Sequence, residues 1–335
     1  MIFYRMKSHD IGRNLATEQY LMNHLNLTEP LLLFYYQTPC IIVGRNQNTL
    51  EEVNQDYVAE HDITVTRRLS GGGAVFDDLG NLSFSFVINN PDEFGDFKTF
   101  TQPIVDALHE MGATGVEVSG RNDLLVDGKK FSGNAMYTKN GKIFSHGTLM
   151  LDVDLDVVTH ALNVPEDKIK SKGIKSVRSR VTNLKPYLSP EYQDLAVPEF
   201  RDTILKKLYG VDDVAQIADK EYQLTQEDEA AIEDLVTKYY HNWEWVYGSS
   251  PEFTVKKRQH FDAGTIDARI LVKSGKIQQI TFFGDFFGTK DVAELAQQLV
   301  GVRYDEKTLA KTLQMINTDN YFAEIPKQQL LKLLV

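Results

Sequence analysis

Three consecutive glycines between two stretches of strand character constrain this chain more tightly than any other feature. Ile63–Leu69 reads as a strand, and Ser70-Gly71-Gly72-Gly73-Ala74-Val75-Phe76 follows it. After the turn Asp77-Asp78-Leu79-Gly80, which reads as a solvated acidic pair, Asn81–Ile88 alternates Leu82, Phe84, Phe86 and Ile88 with smaller or polar residues. That is the pattern of a half-buried strand. A backbone without Cβ atoms can turn successive N–H groups toward one anion. Arg67 and Arg68, just upstream, can add charge-assisted contacts to it. The common nucleotide loops do not fit. A Walker loop needs G-x-x-x-x-G-K-[ST], and a dinucleotide loop leads from strand into helix, whereas this one leads into another strand. On the glycines alone, a flexible hairpin tip or bulge is an equal reading.

The rest of the pattern is mixed. Asn14–Leu25 has helical spacing, Leu31–Tyr36 and Ile41–Gly44 read as strands joined across Gln37-Thr38-Pro39, and Leu50–Glu60 reads as one helix. Phe100–Met111 is helical. Asp127-Gly128 and Asn140-Gly141 are hairpin turns joining strands Asp123–Val126, Lys130–Tyr137 and Lys142–Leu151. Helices follow at Asp154–Leu162, Pro198–Leu208 and Glu227–Tyr240. Beyond a boundary near 242–251, Thr265–Lys273 and Lys276–Phe283 form a hairpin, with helices at Val292–Val300, Lys307–Ile316 and Lys327–Leu334. Strands and helices do not alternate as βαβ units, so a Rossmann-type parallel sheet is disfavoured. The expected class is α+β, with a mixed, largely antiparallel sheet in the larger domain and a small α+β C-terminal domain. Two domains also suit 335 residues.

Composition narrows function mainly by exclusion. With 36 basic and 47 acidic residues the net charge is −11, wrong for a general nucleic-acid binder. One local exception is the basic run Lys168–Arg180, a solvated face or a site for an anionic ligand or acidic partner. No stretch approaches the ~18–20 apolar residues of a membrane span, and the start lacks the pattern of a signal peptide. A cytoplasmic protein is expected. The single cysteine, Cys40, lies between two apolar strands without an adjacent base and reads as a buried thiol. The eight histidines show no metal spacing, and no metal ligands are assigned.

Taken together, the motifs resemble the lipoate–protein ligase family. Arg67-Arg68-Leu69-Ser70-Gly71-Gly72-Gly73-Ala74-Val75-Phe76 is similar to its signature loop, and Gly120–Ala135, containing Asp127-Gly128-Lys129-Lys130-Phe131, follows at the family's spacing. Val43-Gly44-Arg45-Asn46-Gln47-Asn48, His146-Gly147-Thr148-Leu149 and Lys172–Val181 also match. The Trp243–Pro251 segment and Gly284-Asp285-Phe286-Phe287-Gly288 resemble the accessory domain of Firmicute-type ligases. The resemblance implies a biotin/lipoate ligase-type catalytic domain over 1–244 and an accessory domain over 250–335. One departure stands out: the family loop continues with His-Asp, and here it reads Asp77-Asp78.

The implied activity is ATP-dependent. Lipoate is activated to lipoyl-AMP, and the lipoyl group then passes to a lysine of an apo lipoyl domain, on a 2-oxoacid dehydrogenase subunit or the glycine-cleavage carrier protein. Mg²⁺ is expected to accompany ATP, and a monomer is the default. By resemblance, Arg68, Gly71, Gly72, Gly73, Ala74, Val75 and Phe76 hold the adenylate together with Asp123. Lys130 contacts acyl carbonyl and phosphate, and Gly73 and Val43 help to hold lipoate. Lys130 is read as a fixed cation, because a covalent lysine would end as a stable amide; strand alternation points Lys129 the other way. The competing reading is an octanoyl or lipoyl transferase acting without ATP. It needs a nucleophile, and Cys40 is the one candidate cysteine.

Overall fold

The computed structural model describes residues 1–120, 122–163, 181–247, 255–273, 275–304 and 306–335. Its first ten strands are β1 (Ile2–Arg5), β2 (Leu31–Tyr35), β3 (Cys40–Val43), β4 (Thr64–Arg67), β5 (Val75–Asp77), β6 (Asn81–Ile88), β7 (Val116–Ser119), β8 (Asp123–Val126), β9 (Lys129–Lys139) and β10 (Lys142–Met150). Seven of them form one mixed sheet in the order β1-β2-β6-β10-β9-β8-β7. β1 and β2 are parallel and every later neighbour is antiparallel. A second sheet of three strands runs β4-β3-β5, with β3 parallel to β4 and antiparallel to β5. Leu31–Tyr35 and Cys40–Val43 therefore do not pair with each other: the Gln37-Thr38-Pro39 link carries the chain from one sheet to the other.

Both faces of the large sheet are covered, and that corrects the reading of Asn81–Ile88 as half-buried. Leu82, Phe84, Phe86 and Ile88 pack in the core that includes Ile104 and Leu108 of the helix Phe97–Glu110 and Phe200 and Ile204 of the helix Val197–Tyr209. On the other face Val87 and Phe144 meet Leu15, Leu21 and Met22 of the helix Ile11–His24. Ser83 and Ser85 lie on that second face and are buried. Alternation with serine mimics a solvent face; here small polar residues make room under a helix. The helix Ile11–His24 is itself unusual, since it buries Asn14, Thr17, Glu18 and Gln19 along with its apolar residues.

The hairpins at Asp127-Gly128 and Asn140-Gly141 are present, and both asparagine-type positions take positive φ, 49° and 52°. Leu50–Glu60 splits into Thr49–Glu52 and Gln55–Glu60, because the Asn54 side chain caps the second helix by accepting from the Tyr57 N–H. The expected helix Glu227–Tyr240 is α-helical over Gln226–Leu235 and becomes a π-helical turn over Val236–Tyr240. Strands β1 and β7 are four residues each, too short to show a period in the sequence. No described helix is long and apolar enough to cross a membrane.

Beyond them, β11 (Val255–Phe261), β12 (Gly264–Lys273) and β13 (Lys276–Gly284) form an antiparallel sheet. It packs with helices Val292–Leu299, Glu306–Gln314 and Lys327–Leu334 around a core of its own. β11, absent from the sequence reading, is masked there by four basic or polar residues in a row, Lys256 to Gln259. One side chain crosses over. Phe287 lies in the large-sheet core, edge-on to Phe97 with ring centroids 6.1 Å apart. Arg45 pairs with Asp291 at 2.6 Å nearby. Phe287→Ala empties this junction and is expected to cost about 3 kcal/mol in urea unfolding, whereas Met315→Ala, at a side chain 74% exposed, is expected to change stability by less than about 0.5 kcal/mol.

Candidate active site

The glycine loop is shaped from within by a buried cation. Arg68 follows β4 and turns its guanidinium under the loop: Nη2 donates to the carbonyls of Gly71 (2.7 Å) and Gly73 (2.8 Å), Nη1 to Ile42 (3.0 Å), and Nε to Ser70 Oγ (3.0 Å). Burial lowers its pKa to about 10, still charged at neutral pH. Gly72 takes φ +91°, which favours glycine, and a Cβ on Gly44 would overlap the Gly72 carbonyl. Arg67 is equally buried but points elsewhere, donating to the carbonyls of Gly44, Arg45, Gln47, Trp245 and Val246. Both arginines bond backbone carbonyls around the loop. Their positive charge organises the loop, and Arg68 alone borders the cavity beside it.

That cavity has about 610 Å³ of empty space, part of it open to solvent. It runs across the large sheet. Tyr35 on β2 faces Ser83 on β6, Ser83 faces Thr148 on β10, and the Gly133 N–H of β9 reaches the Thr148 hydroxyl at 3.4 Å. Three strand spacings separate β2 from β9, roughly 14 Å. Lys130 and Asn134 border it from β9, Ser83 from β6 and Tyr35 from β2, with Ile42, Val75 and Asp77 from the second sheet and Leu15 from the helix Ile11–His24. The glycine loop, with Gly72, Gly73 and Ala74, borders the cavity as well.

Lys130 is held ready rather than buried. Its Nζ pairs with Asp123 Oδ1 at 2.7 Å, and both side chains are about a third exposed. Gly133 leaves room for it, because a Cβ there would stand 3.1 Å from Nζ. Lys129 is exposed and does not border the cavity, as strand alternation requires. The basic run Lys168–Arg180 lies outside the described residues, but the chain that continues from it is anchored here: Thr182 N–H donates to the Lys130 carbonyl at 2.9 Å.

His146 on β10 is buried and bonded at both ring nitrogens. Nε2 lies 2.7 Å from Ser70 Oγ and Nδ1 3.0 Å from Glu18 Oε1. A continuous polar chain thus runs from Glu18 on the first helix through His146 and Ser70 to Arg68 under the loop. Asp77 on β5 borders the cavity and is 1% exposed, which corrects the solvated-turn reading. Gln37 Nε2 donates to its Oδ2 at 2.6 Å and Ser83 Oγ at 3.2 Å. Burial pushes its pKa up to about 7, against the smaller opposing effect of the Ser83 hydrogen bond.

Residues 10–209 match the Lipoyl protein ligase A/B catalytic domain, and residues 250–334 match the Bacterial lipoate protein ligase C-terminus. The chain belongs to the lipoate–protein ligase family. It is 47% identical over 322 residues to the lipoate–protein ligase LplJ of Bacillus subtilis (strain 168), covering 96% of each chain. The crystal structure of P. falciparum LipL1 in complex with lipoate shares its fold over 99% of both chains, with a TM-score of 0.78 at 22% identity. Lipoate–protein ligase A bound with ATP aligns with a TM-score of 0.60 and 25% identity, over 74% of this chain and 98% of that one.

Within this ligase, Arg68, Gly72, Gly73, Ala74, Val75 and Lys130 come together around one cavity, with Asp123 attached through its ion pair. Three expected residues do not. Val43 is fully buried in the cluster of Ile41, Val53 and Val58, and the Phe76 side chain packs in that same cluster, on the opposite face of β5 from Val75 and Asp77. Gly71 faces the C-terminal region, where a Cβ would stand 2.6 Å from the Phe286 carbonyl. Conversely Leu15, Tyr35 and Ser83 went unread. Tyr35 sits in an apolar run and Leu15 in a helical pattern, both indistinguishable in sequence from packing.

Two stability predictions follow from the buried polar groups. Ser70→Ala removes the hydrogen bonds to Arg68 Nε and His146 Nε2 and should cost about 1–3 kcal/mol. His146→Ala also strips the Glu18 carboxyl of its partner and should cost about 3 kcal/mol or more, both read by chemical denaturation. For Asp77, the folded pKa near 7 exceeds its unfolded value near 3.9. The folded state thus holds the extra proton, and the group's contribution to stability falls as pH rises from about 4 to about 7. Asp77→Asn cannot titrate, so its stability relative to wild type should rise across that window by up to about 4 kcal/mol.

Proposed function

We propose that this ligase joins lipoate to an acceptor lysine in two steps within the one cavity. In the first, a carboxylate oxygen of lipoate attacks the α-phosphorus of ATP, pyrophosphate leaves, and the acyl–phosphate bond of lipoyl-AMP forms. In the second, the amine of an acceptor lysine attacks the acyl carbon, the amide forms, the amine loses its proton and AMP leaves. Both steps crowd negative charge at one point, and preorganised cations and N–H donors supply the largest stabilisation there.

The observation that carries this reading is the arrangement of Lys130. Its ammonium, 38% exposed, borders the same cavity as the glycine loop residues Gly72, Gly73 and Ala74 and the apolar side chains of Leu15, Ile42 and Val75. We assign Lys130 to the acyl carboxyl and the α-phosphate as a fixed cation, with Asp123 holding its ammonium until substrate arrives and then free to accept from ribose or the incoming amine. Gly72, Gly73, Ala74 and Val75 line the adenylate, and Arg68 keeps them in place from beneath. The acyl chain lies along Leu15, Ile42 and Val75 toward Tyr35. Mg²⁺ enters as the ATP complex, for which one or two carboxylates plus phosphates suffice.

The acceptors are apo lipoyl domains of 2-oxoacid dehydrogenase subunits or the glycine-cleavage carrier, met by a monomer in the cytoplasm. Residues 1–244 form the catalytic domain and 250–335 the accessory domain. Transfer without ATP through a cysteine thioester is not favoured: Cys40 is fully buried, and burial pushes its thiol pKa well above the usual value.

Incubation with lipoate, Mg-ATP and an apo lipoyl domain, following pyrophosphate release and acceptor mass, tests the reading. Lys130→Ala should lose about 10²–10³-fold in rate, while Lys129→Ala keeps wild-type rate. Acyl transfer without pyrophosphate release would overturn the ligase assignment.

A further inference from the structure

The two edges of the large sheet end differently. At β1 the chain covers its own edge: the Tyr222 N–H donates to the Phe3 carbonyl at 2.7 Å, and Phe3 forms a parallel bridge with Glu221. At β7 no described strand follows. The phase of the β7–β8 ladder tells which groups are left over. The Asp127 N–H donates to the Gly115 carbonyl at 3.4 Å, so Gly115, Glu117 and Ser119 turn their main-chain groups to β8, while Val116 and Val118 turn theirs away. Val116 is satisfied locally, because its N–H donates to Ala113 (3.1 Å) and its carbonyl accepts from His109 Nε2 (2.7 Å). Among the described residues nothing bonds the outward N–H or carbonyl of Val118. Val118 borders a groove between β7 and the helix Phe97–Glu110, with Phe97, Gln102 and Val105 on the helix side. A groove between a helix and an open strand edge is the shape in which an extended peptide adds as one more strand.

This edge leads to the reacting groups. Ser119 stands opposite Asp123, which holds the Lys130 ammonium at 2.7 Å. A strand laid outside β7 lies two strand spacings from Asp123, roughly 10 Å. One further residue of chain, about 3.3 Å, and a lysine side chain of about 6 Å cover that distance. The face is also right. Val116, Val118, Leu124 and Val126 pack in or against the core, so Glu117 and Ser119 share the opposite face with Asp123. Glu117 is exposed there. An amine arriving as an ammonium along this face thus passes one carboxylate on its way to another, a charge complementarity that suits a lysine.

We propose that the open edge of β7 is the docking strand for the acceptor. An extended segment of the apo domain, leading to its lysine, pairs with Val118 and delivers the amine past Glu117 to Asp123 and Lys130. The inference rests on the ligase reading above and adds the surface that the acceptor meets. Main-chain pairing recognises a strand rather than particular side chains, so one edge serves acceptor domains of different sequence that present a lysine at a strand end.

The test pairs two substitutions with two acceptors. Val118→Pro removes the outward N–H without taking a bond from β8, a placement that edge strands tolerate. Val118→Ala keeps the N–H and trims the same side chain. Each is assayed with lipoate and Mg-ATP, against an apo lipoyl domain and against hydroxylamine. The hydroxylamine nitrogen takes the acyl group, with loss of a proton and of AMP, and needs no docking strand. The ratio of kcat/KM for the domain over that for hydroxylamine should fall about tenfold in Val118→Pro and stay within about twofold of wild type in Val118→Ala. Should the proline variant fail to fold, amide exchange in the wild-type protein decides. An apo domain with arginine in place of its acceptor lysine, at saturation, should slow exchange of the Val118 N–H about tenfold or more and leave the Tyr222 N–H at the other edge unchanged. An equal ratio in the two variants, or a Val118 N–H that gains no protection, overturns this inference and leaves the ligase reading standing. No pyrophosphate release by the wild-type protein with either acceptor removes both.

Discussion

The site depends on one buried guanidinium. Arg68 lies under the glycine loop and bonds the carbonyls of Ile42, Gly71 and Gly73 and the hydroxyl of Ser70. A cation so placed would cost several kcal/mol of desolvation if left unpaired. Here the carbonyls solvate it, while Asp77 and Glu18 lie close enough to favour its charge. The loop gains as much as the arginine does. Three glycines in a row have high chain entropy, and binding their carbonyls from below fixes them in the one shape that borders the cavity. The same contacts account for Ser70, which links the arginine to His146 and Glu18 and so to the helix on the second face of the sheet.

The cavity exists because the sheet beneath it is built from small residues on one face. Ser83 and Thr148 border it from that face, and the Gly147 backbone borders it too, while the missing Gly147 Cβ leaves room on the other face for the Phe84 ring, which it would approach at 2.8 Å. The opposite face of the same strands carries Leu82, Phe84 and Phe86 and is covered by two helices. One face of β6 therefore anchors the fold and the other leaves space for substrate. The covering helix Ile11–His24 completes the arrangement by presenting Leu15 to the cavity and Glu18 to His146.

Much of this could be read from the chain. The hairpin turns at Asp127 and Asn140, the mixed strand order, the glycine loop and the position of Lys130 all follow from local rules, since each depends on residues near one another in sequence. What could not be read depends on distant partners. Ser83 looked solvent-facing because nothing local reveals the helix above it. Asp77 looked like half of a solvated turn, and its burial depends on Gln37, forty residues away, and on a strand pairing with Cys40. Arg67 reads as an anion ligand but bonds the carbonyls of Gly44, Gln47 and Val246 away from the cavity, because a guanidinium in a glycine-rich stretch has the same appearance whether it faces a phosphate or the chain's own carbonyls. Val43 and Phe76, taken over with a motif, lie on the buried side of it; adjacent strand residues share a motif but not a face.

The junction with the C-terminal region bears on the same loop. Gly71 and Gly72 accept the backbone of Phe286 and the ring of Phe287 at distances that leave no room for side chains, and Phe287 continues into the core beside Phe97. Arg45, on the segment that Arg67 holds in place, reaches Asp291 and stacks over Trp245. The loop is thus gripped from two sides, by Arg68 below and by the C-terminal region above. Only the lower grip is buried and charged. The upper one includes the Phe287 ring, a partly exposed ion pair and backbone contacts, and a surface ion pair adds little stability.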